Sequence, residues 1–163
     1  MALTKLLSGG VDLTENFLFT GRLAGDIPHG VAQHDNSTSF NSTTRAQGLD
    51  SSLSSSDVTV STANNRLTPT VAGNYICGTV HVFSGSASAG YTPSTILRKN
   101  GTSFQHVGDI NNYASGHTES YCTIGLASFN GSTDYFDTAH NHNAGTTMTS
   151  NGHGRTFMIR VSD

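Results

Sequence analysis

The alternation of apolar and polar positions is sharpest over residues 70–83, Thr-Val-Ala-Gly-Asn-Tyr-Ile-Cys-Gly-Thr-Val-His-Val-Phe. Ala72-Gly73 reads as a turn. Beyond it, a two-residue period puts Tyr75 and Cys77 on one side of an extended chain and Ile76, Gly78, Val80 and Val82 on the other. Both sides are mostly apolar. A strand of this kind is expected to be covered on both faces, inside a sandwich core or with one face against another subunit. It is the predicted central strand.

Shorter patterns flank it. Residues 31–40 form a weak strand pattern, and residues 41–57 are polar and Ser-rich, which predicts a surface loop with at most one short pairing segment. Val58 and Val60 share a face, Asn64-Asn65 is the predicted hairpin turn, and Leu67, Pro69 and Val71 share a face on the return. Pro69 cannot donate to a ladder, which places it on an edge or on the approach to the central strand. Residues 84–94 and 108–117 read as loops. Between them, residues 95–107 read as a hairpin around Asn100-Gly101, because a type I′ turn requires positive φ at both central positions. Cys122, Ile124 and Leu126 lie on one face of a strand, and Asn130-Gly131 turns the chain into another over 134–140. Residues 141–154 read as a long polar loop or a weak strand pair. Phe157, Ile159 and Val161 alternate with Met158 and Arg160 in a last strand expected at the middle of a sheet. No stretch shows helical periodicity of useful length.

Residues 1–27 stand apart, with Leu3, Leu6 and Leu7 in one short apolar cluster and Phe17, Leu18 and Phe19 in a second, separated by Gly9-Gly10. They read as an extended arm that docks elsewhere or as a first strand of the same domain. The expected division is an anchoring arm over 1–27 and a head over 28–163, with a turn around Pro28 and Gly30.

Composition narrows the class. A chain of 163 residues suits one domain with its own core. Only 12% of residues are charged and 34% are hydrophobic, and the remainder is dominated by the small polar residues that build loops and exposed strand faces. The formal charge of −3, with scattered Lys and Arg, gives no footprint for nucleic acid. No apolar run is long enough for a signal-peptide core or a membrane span, so synthesis in a cytoplasm without an encoded export route is expected. Cys77 and Cys122 sit in apolar strand-like runs and are expected to be buried free thiols. The sequons at Asn36, Asn41, Asn100 and Asn130 then carry no weight.

About eight to ten short strands at this spacing make an antiparallel sandwich, with a jelly roll as its natural closed form. Pro69-Thr-Val-Ala-Gly-Asn-Tyr75 resembles the approach to the central strand of the C1q/TNF superfamily. Ile96-Leu-Arg-Lys-Asn-Gly101 resembles its apolar, basic, Asn-Gly hairpin. Leu126, Gly131 and Asp134-Tyr135 resemble its Leu-x-x-Gly-Asp-x-apolar segment with an insertion between Gly and Asp, and Gly154-Arg-Thr-Phe-Met-Ile159 resembles its final core strand. Together these cover roughly residues 31–161. The chain departs from the pattern at Cys77, where an aromatic is usual, and in having no collagen-like stalk. Residues 1–27 are similar instead to the start of tailed-phage virion proteins, among which C1q-like heads occur. The resemblance implies an all-β, C1q/TNF-like jelly-roll head that forms a homotrimer, with Tyr75, Cys77, Phe157 and Ile159 as candidates for the trimer core. Leu3, Leu6, Leu7, Phe17 and Phe19 are then the anchoring residues.

The chain contains no Gly-x-Ser-x-Gly, His-Glu-x-x-His, phosphate-cradling loop or Cys-x-x-Cys. An enzyme is not expected, nor a cofactor. Among eight histidines, including His81 and His153, His140 and His142 have the spacing of metal ligands on a strand face. No carboxylate or Cys accompanies them, so solvent-facing or hydrogen-bonded rings are the expectation and they are only weak metal candidates. Two functions follow from the resemblance. One is a virion structural protein, a capsid decoration, cement or head-fibre-like trimer bound through its arm to the major capsid protein or another virion protein. The other is a tail-fibre tip that binds a receptor or host surface glycan, with Tyr91, Tyr113, His140 and His142 as contact candidates. Neither uses nucleic acid or a membrane.

Overall fold

The computed structural model describes residues 27–41, 43–84, 93–108, 119–143 and 147–163, and these residues form thirteen strands and no helix. In chain order they are β1 (His29–His34), β2 (Ser39–Phe40), β3 (Arg45–Ala46), β4 (Leu49–Ser56), β5 (Val58–Ser61), β6 (Arg66–Pro69) and β7 (Gly73–Ser84). Then come β8 (Pro93–Lys99), β9 (Thr102–Gly108), β10 (Glu119–Phe129), β11 (Phe136–His142), β12 (Met148–Ser150) and β13 (Arg155–Ser162). All pairings are antiparallel.

They assemble into two sheets. The larger is built on β7, the longest strand. One edge of β7 pairs with β10, and the other pairs with β13 and then, beyond Val80, with β12. β1 and β4 complete it outside β13, and β2 outside β12. The segments read as central strands from their alternation, 73–84 and 155–162, are the central ones. The second sheet runs β5-β6-β11-β8-β9, with β3 also on β11.

Local chemistry fixes the turns. Asn100 and Gly101 have φ of 53° and 74° and close the β8–β9 hairpin, the positive-φ pair that a type I′ turn needs. Asn65, at φ 53°, helps close β5 onto β6. Gly131 is at φ 71°, and a Cβ there would come within 2.2 Å of the Ala72 nitrogen. The turn that carries the chain from β10 in one sheet to β11 in the other therefore rests directly on the turn that starts β7.

Two expectations change. The Ser-rich stretch 41–57 contains the eight-residue edge strand β4, held by its ladder to β1 while most of its side chains face solvent. Of the two readings of residues 141–154, the single loop gives way to the strand reading: β11 runs on to His142, and β12 joins the opposite sheet. The core between the sheets gathers Ala32, Leu49, Val58, Leu67, Tyr75, Cys77, Leu97, Phe129, Phe136 and Met158. Residues 1–26, with Leu3, Leu6, Leu7, Phe17 and Phe19, lie outside the described residues.

Candidate assembly face

The two-residue period decides which side chains share a face, and the ladder decides which neighbours they meet. On the outward side of the larger sheet, Leu126, Ile76 and Ile159 form one row across β10, β7 and β13. Ile124, Gly78 and Phe157 form the next row, and Cys122, Val80 and Arg155 the third. Neighbouring strands lie about 4.8 Å apart, so these side chains make one continuous surface. Most of its aliphatic members are open: Ile76 is 39% exposed, Ile124 56%, Leu126 63% and Ile159 41%, with Val161 51% exposed farther along β13, while Val80 is half-buried. Phe157 is half-buried, its ring filling the space above Gly78.

Polarity changes along each row. Beyond β13 the Leu126 row continues through His29 to Ser56, and the Ile124 row through Val31 to Ser54. His29 hydrogen-bonds Ser54 through Nε2 at 2.8 Å. The face is thus aliphatic over β10, β7 and β13 and hydroxyl-rich over β4.

The inward faces of the same strands are less aliphatic than the outward ones. β7 turns Tyr75, Cys77, Thr79 and His81 inside, β10 turns Tyr121, Thr123 and Phe129 inside, and β13 turns Thr156 and Met158 inside. Ile, Leu and Val side chains therefore point away from the core along three adjacent strands.

Tyr75 and Cys77 require correction as trimer-core candidates. Both are fully buried within one chain; the Tyr75 hydroxyl donates to the Val71 carbonyl at 2.8 Å, and burial raises the Cys77 thiol pKa. They occupy the face of β7 opposite Ile76. Phe157 and Ile159 do lie on the outward face. Ile76, Ile124, Leu126 and Val161 are exposed as well; the alternation puts Ile124 and Leu126 on one side of a strand but carries no signal that this side faces away from the core. Cys122 also departs from expectation, because its free thiol is exposed on this face.

His140 and His142 are not surface contacts either. Each is about 2% exposed and points between the sheets, and His142 donates from Nε2 to the Phe40 carbonyl at 2.8 Å. Among the described residues no group of three or more His, Cys, Asp or Glu could hold a metal ion. Tyr91 and Tyr113 lie outside the described residues.

No model of a known protein family matches the sequence, and no curated protein matches it. Similarity appears at the level of structure. The chain is similar to Eiger TNF from S. frugiperda, with a TM-score of 0.55 over 85% of this chain and 94% of that one, at 9% identity. The fold is a TNF-like jelly roll. At that identity the likeness extends to the arrangement of strands alone.

Proposed function

We propose that this protein is a structural assembly unit, a homotrimer joined through the outward face of β10, β7 and β13. The observation that carries the reading is the direction of the aliphatic side chains. A soluble chain that keeps Thr and His inside while presenting Ile76, Ile124, Leu126 and Ile159 outside has a contiguous apolar patch of the sort that marks an interaction surface. A second copy of the same patch is a chemically matched cover. Three copies rather than two follows the C1q/TNF resemblance.

Residues 1–27 supply the rest of the reading. Their similarity to the start of tailed-phage virion proteins makes the trimer a virion component, a capsid decoration, cement or head-fibre-like protein held to the major capsid protein or another virion protein. Three arms engaging together raise the effective concentration of each remaining arm and multiply weak contacts. The role is non-enzymatic and its place is the virion. The receptor- or glycan-binding reading retains Tyr91 and Tyr113 alone, since His140 and His142 are interior.

Sedimentation equilibrium tests the assembly. The expected mass is three times the 17.1 kDa chain, and a monodisperse monomer at micromolar concentration overturns the reading. Deleting residues 1–27 tests the anchor: the expected product stays trimeric and no longer associates with particles.

A further inference from the structure

One end of the sandwich interior is built from histidine. His34 comes from β1, His81 from β7, and His140 and His142 from β11, so the two sheets meet there through imidazole rings. His81 and His140 stack at a centroid distance of 3.7 Å with a 24° tilt, and His34 lies 5.7 Å from the first and 6.3 Å from the second. Phe40 of β2 caps the group, its ring 5.1 Å from His81, 6.0 Å from His140 and 5.5 Å from His142. His34, His81 and His140 are each no more than 2% exposed.

Such an arrangement tolerates only neutral rings. A cation placed on either stacked ring would face the other without water between them. Among the described residues, neither nitrogen of His140 has a hydrogen-bond partner. His34 shares a 2.8 Å hydrogen bond at Nε2 with the Thr156 hydroxyl, which a neutral ring can make. The charged groups that act on His34 and His140 among the described residues are one carboxylate and two guanidinium groups. Asp35 favours a charge on His34, Arg155 of β13 opposes it, and Arg98 of β8 opposes one on His140. Thr79 of β7 also places its hydroxyl 3.4 Å from His34 Nε2, and the hydroxyls of Thr79 and Thr138 in turn meet that of Thr156.

We propose that His34, His81 and His140 form an acid-sensitive latch between the two sheets, closed while the rings are neutral and released when they take up protons. Burial and the neighbouring rings hold His81 and His140 well below the usual histidine range, and burial with Arg155 brings His34 to about 3. Opening returns the rings to water, where they accept protons near pH 6.5. Each histidine then favours the open state about tenfold per pH unit below that value, and three together up to about a thousandfold. The device does not depend on trimer formation.

Hydrogen exchange on the full chain, corrected for intrinsic rates and compared at pH 7.5 and pH 5, reads the opening directly. The expected result is a rise of at least a hundredfold in opening at the amides of residues 34, 81, 140 and 142, with residues 74–77 and 126–129 unchanged. Equal opening at the two pH values, or one transition of the whole chain, overturns the latch. His140→Phe keeps the stack without the titrating ring and is expected to lower the proton dependence by one. Should that variant not fold, histidine ring resonances of the unmodified chain decide: the three rings are expected to stay neutral in the folded protein down to pH 5. A midpoint near 6.5 for any of them overturns the proposal.

Discussion

Phe157 occupies the space that a side chain at Gly78 would need: a Cβ at position 78 would come within 2.5 Å of its Cζ. The pair joins β13 to β7 on the outward face and sets the height of the surface between Ile124 and Ile159. Gly78→Ala therefore displaces an aromatic ring on that surface. Overfilling of a packed site costs about 1–3 kcal/mol, and here it is expected to appear as weaker self-association, measured by sedimentation equilibrium.

Leu126 is the most open large apolar side chain on the face, at 63% exposure. An ordinary surface substitution changes stability by about 0.5 kcal/mol or less, so Leu126→Asp leaves a single chain able to fold. Three carboxylates desolvated at an interface are a different matter. The expected outcome is a folded monomer, seen as a mass of one chain with unchanged far-ultraviolet circular dichroism. A Leu126→Asp trimer would place the contact elsewhere.

Arg98 and Asp137 face each other across the β8–β11 ladder and are joined by an ion pair, with side-chain exposures of 19% and 8%. Burial is the larger influence on Asp137 and raises its pKa, against the lowering effect of Arg98. Removing the cation leaves a carboxylate in an interior site without its partner. Breaking a buried pair costs about 3–5 kcal/mol, and the residual exposure of Arg98 brings the expectation for Arg98→Met to about 2–3 kcal/mol. Urea unfolding at pH 7 measures it. The loss is expected to shrink at pH 4, where protonation of Asp137 relieves the uncompensated charge.

Stability as a whole is expected to fall on mild acidification. Burial brings the folded pKa of His34 to about 3 against the usual histidine value of about 6.5, so the unfolded chain binds more protons between those values. Its contribution is complete above pH 6.5 and is lost as pH falls below it, at about 1.4 kcal/mol per unit. Asp35, with its pKa lowered by hydrogen bonds from Thr38, Ser150 and Ser37 that outweigh burial, adds a loss only below about pH 4. Unfolding midpoints between pH 7.5 and 4.5 leave Asp35 aside, whereas Asp137, its pKa raised by burial, favours the folded state on acidification; the comparison with His34→Gln, which is expected to flatten the fall in that window, therefore isolates the histidine.

Gly101, at φ 74°, sits where a Cβ is disfavoured by about 1–2 kcal/mol. Gly101→Ala is expected to destabilise the chain by that amount in urea unfolding, with self-association unaffected, because the β8–β9 hairpin belongs to the other sheet.

How much of this was legible differs from strand to strand. The Asn100-Gly101 turn, the hairpin after Val60 and the central place of residues 155–162 follow from local chemistry and period, which act over a few residues. β4 was hidden because an edge strand is held by backbone hydrogen bonds to β1, and its Ser side chains carry no signal of burial. His140 and His142 read by type as solvent-facing or hydrogen-bonded; His142 is hydrogen-bonded to the Phe40 carbonyl, and only contact with His34, His81 and Phe40, distant in sequence, puts both rings inside.

The sequence by itself determined that Ile76 and Tyr75 lie on opposite sides of one strand, that Ile124 and Leu126 lie together, and that the chain builds an all-β fold. A period of two says which residues share a face and leaves open which face meets the core. That choice belongs to the ladders joining β10, β7 and β13 and to the packing of the second sheet, contacts between segments far apart along the chain. Tertiary structure therefore put Tyr75, Cys77 and the histidines inside and left Ile76, Ile124, Leu126 and Ile159 outside.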